Sequence, residues 1–269
     1  MVRTDKNGQK GEFKKTTPKD IVYFILPFVS IGFLLLLWYR VSSITSLFPG
    51  MVQTYERFLL LLEKPIMRVP FYGHILASLK RVVIALLAAI VVGIAFGTLI
   101  GWNKKCDSFF GTVFNFIRPI PPLAWIPLIT ITFGIGEFPK ILIVFIGAVI
   151  PIVLNTRAGL LSVEQIFLDV GQLFDANRWQ MLWEVAMPCA TPAIVAGIKT
   201  ATSAAWMVVL AAEMLGAKSG VGFLVTRGMD ANDMPLVLVA MITIGVIGAL
   251  LGVITSLIER LICPWMRIK

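Results

Sequence analysis

The apolar stretch Val82–Trp102, VVIALLAAIVVGIAFGTLIGW, decides the fold of this chain. It runs for 21 residues without a charged side chain, and a helix of about 20 apolar residues crosses the hydrocarbon core of a bilayer. Its apolar positions are continuous, and a backbone in lipid must satisfy its own hydrogen bonds, so we expect a helix. Five further stretches share this character: Ile21–Tyr39, Phe109–Thr132, Ile141–Leu154, Pro192–Ala212 and Leu236–Leu257. The sequence therefore predicts an all-α integral membrane protein with about six transmembrane helices.

The composition supports a membrane protein and argues against a soluble one. Of 269 residues, 58% are apolar and 14% are charged, whereas globular proteins average about 45–50% and 25%. The net charge of +9 is concentrated beside apolar stretches, with six basic residues among the first twenty and the pair Lys104 and Lys105 further on. Such clusters set orientation and contact anionic lipid headgroups. We expect anionic lipid rather than nucleic acid as a partner, because no aromatic–basic platform is present.

The basic residues also predict the orientation of the chain. The N-terminal tail is its most basic segment, so we place both termini in the cytoplasm. In chain order, the predicted parts are a basic tail over residues 1–20, the first helix and an outer loop over 21–81, a core domain over 82–260 with a cytoplasmic segment at 162–188, and a C-terminal tail over 261–269. The first helix is too long for the core of a signal peptide and is expected to be retained. Within the outer loop, Thr54–Leu62 is predicted to form an amphipathic helix.

Few residues in the chain suit catalysis or metal binding. The sequence has no G-x-x-x-x-G-K-[ST] phosphate loop, one histidine (His74) and three widely spaced cysteines, so we expect no catalytic site, metal or cofactor in this chain. Proton- and ion-coupled carriers need acidic or histidine side chains within the membrane. Here Glu213 is placed at the outer end of the fifth helix and Glu137 in a loop. If the chain transports a solute, the energy is expected to come from another protein.

The third apolar stretch contains the best candidate for a translocation path. Prolines remove backbone donors and break helices, and irregular backbone at membrane depth is tolerated only where it is buried or lines a cavity. The candidate residues are Arg118, Pro121, Pro122, Trp125 and Pro127. Arg118 either attracts an anionic substrate or snorkels or packs near the inner interface, and the sequence leaves both interpretations open.

A ridge of small residues, Gly93, Gly97 and Gly101, lies on the second predicted helix. In lipid such a ridge lets two helix backbones approach closely. The contact is either static packing or a surface between pore-forming helices that slides during gating.

In the fifth helix, Lys199 lies near enough to the cytosol to snorkel.

The segment at 162–188 is polar and aromatic, unlike the rest of the chain. Asp175-Ala176-Asn177 is a turn signal that accommodates a left-handed residue, and Asp169 and Asn177 are candidate helix caps. These features predict a helix–turn–helix that lies on the membrane surface. Phe174, Trp179 and Met181 would then either contact a protein partner or anchor the segment at the headgroups.

Several motifs together resemble the permeases of binding-protein-dependent ABC importers, in their taurine/sulfonate/nitrate branch. The resemblance covers roughly residues 45–260. The motifs that carry it are Arg118–Pro127 (RPIPPLAWIP), Phe133–Glu137 (FGIGE), Pro151–Thr156 (PIVLNT), Asp169–Gly171 (DVG), Asp175–Gln180 (DANRWQ) and Met187-Pro188. Two positions depart from the family pattern, since Asp169 stands for its glutamate and Asp175 for its usual glycine.

The resemblance implies a complete transport machine around this chain. Two copies of the permease would form the pore in the bacterial inner membrane, and two ATPase subunits would bind ATP and Mg²⁺. An extracytoplasmic binding protein would deliver the solute to the outer face of the pore. The resemblance places ATPase docking on a coupling segment at Asp169, Phe174, Asp175, Ala176, Asn177, Arg178, Trp179, Met181 and Pro188. The branch handles sulfonates and small oxyanions and also pyrimidine-like vitamin precursors, so the solute stays open. A stand-alone secondary carrier is the less favoured alternative.

Overall fold

The computed structural model describes residues 18–45 and 48–264, with side chains described from Ile25 onward. Apart from one isolated bridge between Ile66 and Val69, the regular structure in these ranges is helical, which confirms the all-α prediction. In chain order the helices are α1 (Pro18–Ile44), α2 (Met51–Glu63), α3 (Phe71–Trp102), α4 (Lys104–Ile117), α5 (Pro122–Phe133), α6 (Glu137–Leu161), α7 (Gln165–Leu173), α8 (Arg178–Met214), α9 (Val221–Asp230) and α10 (Met234–Ile262). The predicted tails fall mostly outside the described residues, at 1–17 and 265–269.

Five helices are long and apolar enough to cross a membrane, namely α1 over Ile25–Ile44, α3, α6, α8 and α10, and the pair α4 and α5 meets the same criterion together. The predicted bounds are too short where charges interrupt the apolar stretches. Helix α3 begins at Phe71 rather than Val82, so the end of the predicted loop 40–81 is helical and includes Arg81. Helix α8 begins at Arg178 rather than Pro192. Charged residues such as Arg81 therefore lie inside the candidate spanning helices.

The third predicted helix is not continuous. Helices α4 and α5 are bent by 85° at the break between Ile117 and Pro122. The break holds prolines that cannot donate backbone hydrogen bonds, and α5 opens with a 3₁₀ turn over Pro122–Trp125. Helix α4 also contains a π turn over Asp107–Gly111. The prolines therefore redirect the chain within this candidate span.

The core of the spanning region forms where α3, α6, α8 and α10 pack together. Its residues are mostly small, which lets the helix backbones approach closely. The largest buried cluster comprises Val82, Ala85, Ala89, Val144, Ala148, Ile152, Ala201, Ala205, Trp206, Val209 and Ile247. Alanines at four-residue spacing on α3 place this cluster on a single helix face.

The chain divides at Gln53 into two compact units. In the first unit, every described side chain from Ile25 to Leu37 is exposed, and Trp38 Nε1 donates to the carbonyl of Pro49 at 3.0 Å. The second unit runs from Thr54 and contains α3 to α10. The predicted helix at Thr54–Leu62 is present within α2, and the short helix α9 was not predicted.

Candidate functional site

An ion-pair cluster lies at one end of the spanning helices, which we call the Glu137 end; Arg81, Lys140 and Glu213 are buried in it, and the Glu137 side chain is 63% exposed. Arg81 Nη1 lies 2.6 Å from Glu213 Oε1, and the side chains are 3% and 0% exposed. The same guanidinium donates from Nε and Nη2 to the two oxygens of Glu137 at 2.7 and 2.8 Å. Lys140 Nζ lies 3.5 Å from Glu137 Oε1, so two cations balance two carboxylates. One arginine thereby joins α3, the start of α6 and the end of α8.

The loop from α8 to α9 wraps around this cluster. Arg81 also donates to the carbonyl and the hydroxyl of Ser219, at 2.9 and 3.1 Å. The second oxygen of Glu213 accepts from Ser78 Oγ at 2.8 Å and from the backbone N–H of Gly222 at 3.0 Å. Gly220 has φ +125°, and a Cβ there would collide with the Glu213 carboxylate. The left-handed glycine thus lets the loop close over a buried charge.

His74 completes the polar network one turn before Ser78. The backbone N–H of Gly220 donates to His74 Nδ1 at 3.2 Å, so Nε2 carries the proton and donates to the carbonyl of Ile66 at 3.3 Å. The ring stacks on Phe223 with centroids 5.8 Å apart. The histidine is therefore satisfied within the fold and joins the start of α3 to α9.

Sequence reasoning missed this cluster and misplaced two of its members. Glu137 is the first residue of α6 rather than a loop residue, and Arg81 lies within α3 rather than in a loop. A signal was present in the spacing on α3. Counting back in fours from Gly97 reaches Gly93, Ala89, Ala85 and Arg81, and residues at that spacing share one helix face. The buried face of α3 therefore extends to Arg81, and this spacing could have placed Arg81 in the protein interior.

The predicted path residues around the bend between α4 and α5 fall into a packed group and an exposed group. Pro122 lies against Gly147 and Val208, since a Cβ on that glycine would be 3.5 Å from Pro122 Cγ, and Trp125 packs against a cluster formed by α5, α6 and α8. Arg118, Pro121 and Pro127 are exposed. Within the part of the chain that the structure describes, Arg118 forms no ion pair. The break therefore presents an unpaired cation beside a rigidly packed helix start.

The segment at 162–188 folds as a helix, a tight turn and the start of a long helix. Asp175 has φ +53°, and the N–H of Ala176 donates to the carbonyl of Gly171 at 3.1 Å, which closes α7. Asn177 caps α8 in a capping box with Gln180. The predicted helix–turn–helix is present, but its second helix does not end within the segment, because the chain from Arg178 to Met214 is one continuous helix and a candidate membrane span. Its start at Met181–Ala186 is a π turn.

Two of the predicted docking residues make side-chain contacts within this segment. Asp169 lies in the middle of α7 and accepts from Gln165 Nε2 at 2.9 Å, so it is not a helix cap. Met181 is buried against Gly171, where a Cβ would lie 2.8 Å from its sulfur, so it holds the two helices together. Phe174 and Trp179 are 83% and 70% exposed, and Pro188 is also exposed. The tip of the segment thus carries two uncovered aromatic side chains.

The glycine ridge of α3 faces α6. A Cβ on Gly93 would lie 2.8 Å from Ile152 Cγ2, one on Gly97 would lie 2.7 Å from Thr156 Cβ, and one on Gly101 would lie 3.1 Å from Leu160 Cδ1. A side chain at Gly93 or Gly97 would therefore require neighbouring atoms to shift, whereas the contact at Gly101 is tight but less severe.

Two further ion pairs join helices within the spanning region. Arg157 makes a two-pronged contact with Asp107, at 2.9 and 2.8 Å, between α6 and α4. Lys199 Nζ lies 2.8 Å from Glu259 Oε2, so this lysine joins α8 to α10 rather than only snorkelling. Each cation in these pairs has a carboxylate partner on another helix.

Comparison with known proteins gives the class that this fold and sequence define. Residues 89–268 match the family described as the binding-protein-dependent transport system inner membrane component. The chain belongs to this family, which confirms the resemblance seen in its motifs. It is therefore a permease subunit of an ABC transport system and a multi-pass protein of the inner membrane.

Individual relatives cover nearly the whole chain. It is 32% identical over 241 residues to the taurine transport system permease protein TauC of Escherichia coli (strain K12), covering 88% of each chain. It is also 32% identical over 265 residues to the nitrate import permease protein NrtB of Synechocystis sp. (strain ATCC 27184 / PCC 6803 / Kazusa), covering 93% of this chain and 94% of that protein. A solved structure of the MetNI methionine ABC transporter in an inward-facing conformation shares the fold, with a TM-score of 0.63, 17% identity, and coverage of 77% of this chain and 98% of that one.

Proposed function

We propose that this chain is the membrane-spanning subunit of an ATP-driven importer for a small anion, either a sulfonate or an oxyanion such as nitrate. The observation that carries the proposal is the near full-length likeness to permeases named for taurine and for nitrate. Both solutes present a compact, oxygen-rich anionic group. A cation on the path would attract a solute of this class.

Arg118 is the residue that suits this role best. Its side chain is exposed at the break between α4 and α5 and has no ion-pair partner among the described residues. An arginine at membrane depth is costly unless it faces protein or water. The bend of 85° beside it opens the helix backbone at the same level. We therefore place the path along Arg118, Pro121, Pro122, Trp125 and Pro127, at the centre of a pore formed by two copies of the chain.

The proposed orientation puts both termini in the cytoplasm. The basic N-terminal tail supports it through the excess of lysine and arginine on cytoplasmic loops. The end at which α3 finishes and α8 begins then faces the cytoplasm, and the Glu137 end faces outward, where a binding protein would deliver the solute.

In this arrangement the turn between α7 and α8 is the docking site for the ATPase. Phe174 and Trp179 are the exposed aromatic side chains at its tip, and exposed aromatic residues are enriched where proteins bind one another. The left-handed Asp175 and the Asn177 cap hold the turn in one shape. ATP and Mg²⁺ are bound by the partner, and this chain transmits the movement and catalyses no reaction itself.

Transport by the purified assembly tests the proposal. The tagged permease is purified in mild detergent from its native membrane, its co-purifying proteins are identified by mass, and the complex is placed in vesicles with its binding protein. We expect a stoichiometric ATPase, and uptake of labelled taurine or nitrate that requires ATP. Uptake that proceeds without ATP, or uptake restricted to uncharged solutes, would contradict the proposal.

A further inference from the structure

A deep groove runs along the outside of α3 at the end opposite the Glu137 cluster, which we call the Trp102 end. It has a volume of about 1230 Å³ and lies between α3 and the start of α8. Its walls are apolar and include Ile90, Ile94 and Leu99 on one side and Leu182 and Trp183 on the other. From Ile90 to Trp102 the groove extends about 18 Å along the helix at 1.5 Å per residue, which is close to the thickness of one hydrocarbon leaflet.

The mouth of the groove carries a concentrated positive charge. Lys104, Lys105 and Arg178 line it, all three are exposed, and none of the fourteen lining residues is acidic. Within residues 18–45 and 48–264 none of the three cations forms an ion pair. This sets them apart from Arg81, Arg157 and Lys199, each of which has a carboxylate partner. Three unpaired cations at one mouth attract an anion.

Three tryptophans mark the level of the groove in the bilayer. Trp102, Trp179 and Trp183 line the groove near its mouth, where the cations lie. Tryptophan is enriched at the boundary between headgroups and hydrocarbon. Apolar walls that begin at this boundary and continue along a spanning helix lie at hydrocarbon depth, where a water-soluble protein does not reach.

We propose that this groove is a binding site for one anionic phospholipid, with its phosphate between Lys104, Lys105 and Arg178 and an acyl chain along Ile90–Leu99. Charge complementarity selects an anionic headgroup over a zwitterionic one, and the length of the apolar walls fits an acyl chain. The site lies beside the turn between α7 and α8 and shares Arg178 and Trp179 with it. A bound lipid would therefore brace the start of α8. The inference depends on the membrane location and not on which solute is imported.

Fluorescence quenching tests this site, because three of the seven tryptophans line it. The purified transporter complex is placed in bilayers that contain either phosphatidylglycerol or phosphatidylcholine with brominated acyl chains. A cation near the membrane surface contributes about a fivefold preference for anionic lipid. Three cations line the mouth, so we expect half-maximal quenching at a mole fraction of brominated phosphatidylglycerol up to about a hundredfold lower. Lys104→Gln and Lys105→Gln should each reduce the preference by about fivefold, while quenching by brominated phosphatidylcholine stays unchanged.

Two further variants make the result specific to the groove. Arg260→Gln removes an exposed cation in the last turn of α10, outside the groove, and should leave the lipid preference unchanged. Ala95→Phe fills the apolar wall without changing charge and should weaken quenching by both lipids. Equal quenching by the two lipids in the unmodified protein, or a preference that the double change of Lys104 and Lys105 leaves undiminished, would overturn the proposal. A complex that shows the preference but imports no anion would contradict the proposed function alone.

Discussion

Arg81 and Glu213 form an ion pair at 2.6 Å, with side chains 3% and 0% exposed, and the same arginine also contacts Glu137. The pair joins α3 to the end of α8, and each charge depends on the other because both side chains are buried. Removing one partner of a buried pair leaves an uncompensated charge, which is far more damaging than the loss of the attraction itself.

We therefore predict that Arg81→Gln destabilises the protein by about 3–5 kcal/mol, measured by chemical unfolding in mixed micelles. The double variant Arg81→Gln and Glu213→Gln should recover part of this loss, because it buries no unpaired charge. Lys199→Gln is the matched control, since its partner is also a carboxylate on another helix but its side chain is 43% exposed. It should cost about 1 kcal/mol or less. If Arg81→Gln and Lys199→Gln lowered the free energy of unfolding equally, the burial of the Arg81–Glu213 pair would not add to its contribution to stability.

The hydropathy of the chain was sufficient to predict the helical membrane fold, but not the polar parts of its helices. Apolar length located the centre of each span. It failed at Phe71–Arg81 and at Arg178–Ala190, where charged or polar residues occupy helix ends. At the start of α3, Arg81 is accommodated by Glu137 and Glu213, which are distant in sequence. A hydropathy average over neighbouring residues cannot detect ion pairs between residues more than 50 positions apart.

Local turn chemistry was more predictable than the roles of individual side chains. The left-handed Asp175 and the cap at Asn177 follow from residue type, because both effects arise within a few residues. The burial of Met181 depends instead on Gly171, ten residues earlier on the preceding helix. Methionine is common both at binding surfaces and in helix contacts. The sequence alone therefore could not decide between these two roles for Met181.

The contact between Gly97 and Thr156 leads to a second prediction. A Cβ at Gly97 would lie 2.7 Å from Thr156 Cβ and 3.0 Å from the carbonyl of Val153, so Gly97→Ala forces α3 and α6 apart. We expect a loss of about 1–3 kcal/mol in unfolding free energy, typical of an overpacked core. Gly245→Ala is the matched control, since this helical glycine has nothing within 4 Å of an added Cβ. It should be neutral or stabilising by about 0.5–1 kcal/mol. A neutral Gly97→Ala would mean that the ridge is not a fixed contact.

The exposed position of Phe174 leads to a third prediction, which rests on the proposed docking site. Phe174 is 83% exposed and Met181, seven residues later, is 8% exposed. Phe174→Ala should therefore leave the melting temperature of the isolated permease unchanged but reduce the amount of ATPase that co-purifies with it. Met181→Ala should instead lower the stability of the isolated permease, by about 2–5 kcal/mol, because it leaves a cavity beside Gly171. If the ATPase co-purified in full with Phe174→Ala, Phe174 would not contribute to the interface with the ATPase.

Arg118 gives the prediction that bears most directly on the solute. Its side chain is exposed at the break after α4 and pairs with no carboxylate among the described residues, so Arg118→Gln should leave stability within about 0.5 kcal/mol of the unmodified protein. If the arginine attracts an anion on the transport path, the substitution should slow ATP-driven uptake of that anion about tenfold or more, since a hydrogen bond to a charged group is worth about 1.5–3 kcal/mol. Arg118→Lys keeps the charge and should retain part of the rate. Arg227→Gln, which removes the basic residue near the end of α9, serves as the control for net charge and should leave uptake unchanged. Unimpaired uptake by Arg118→Gln would favour the other interpretation of this residue, a side chain that snorkels toward the interface and takes no part in transport.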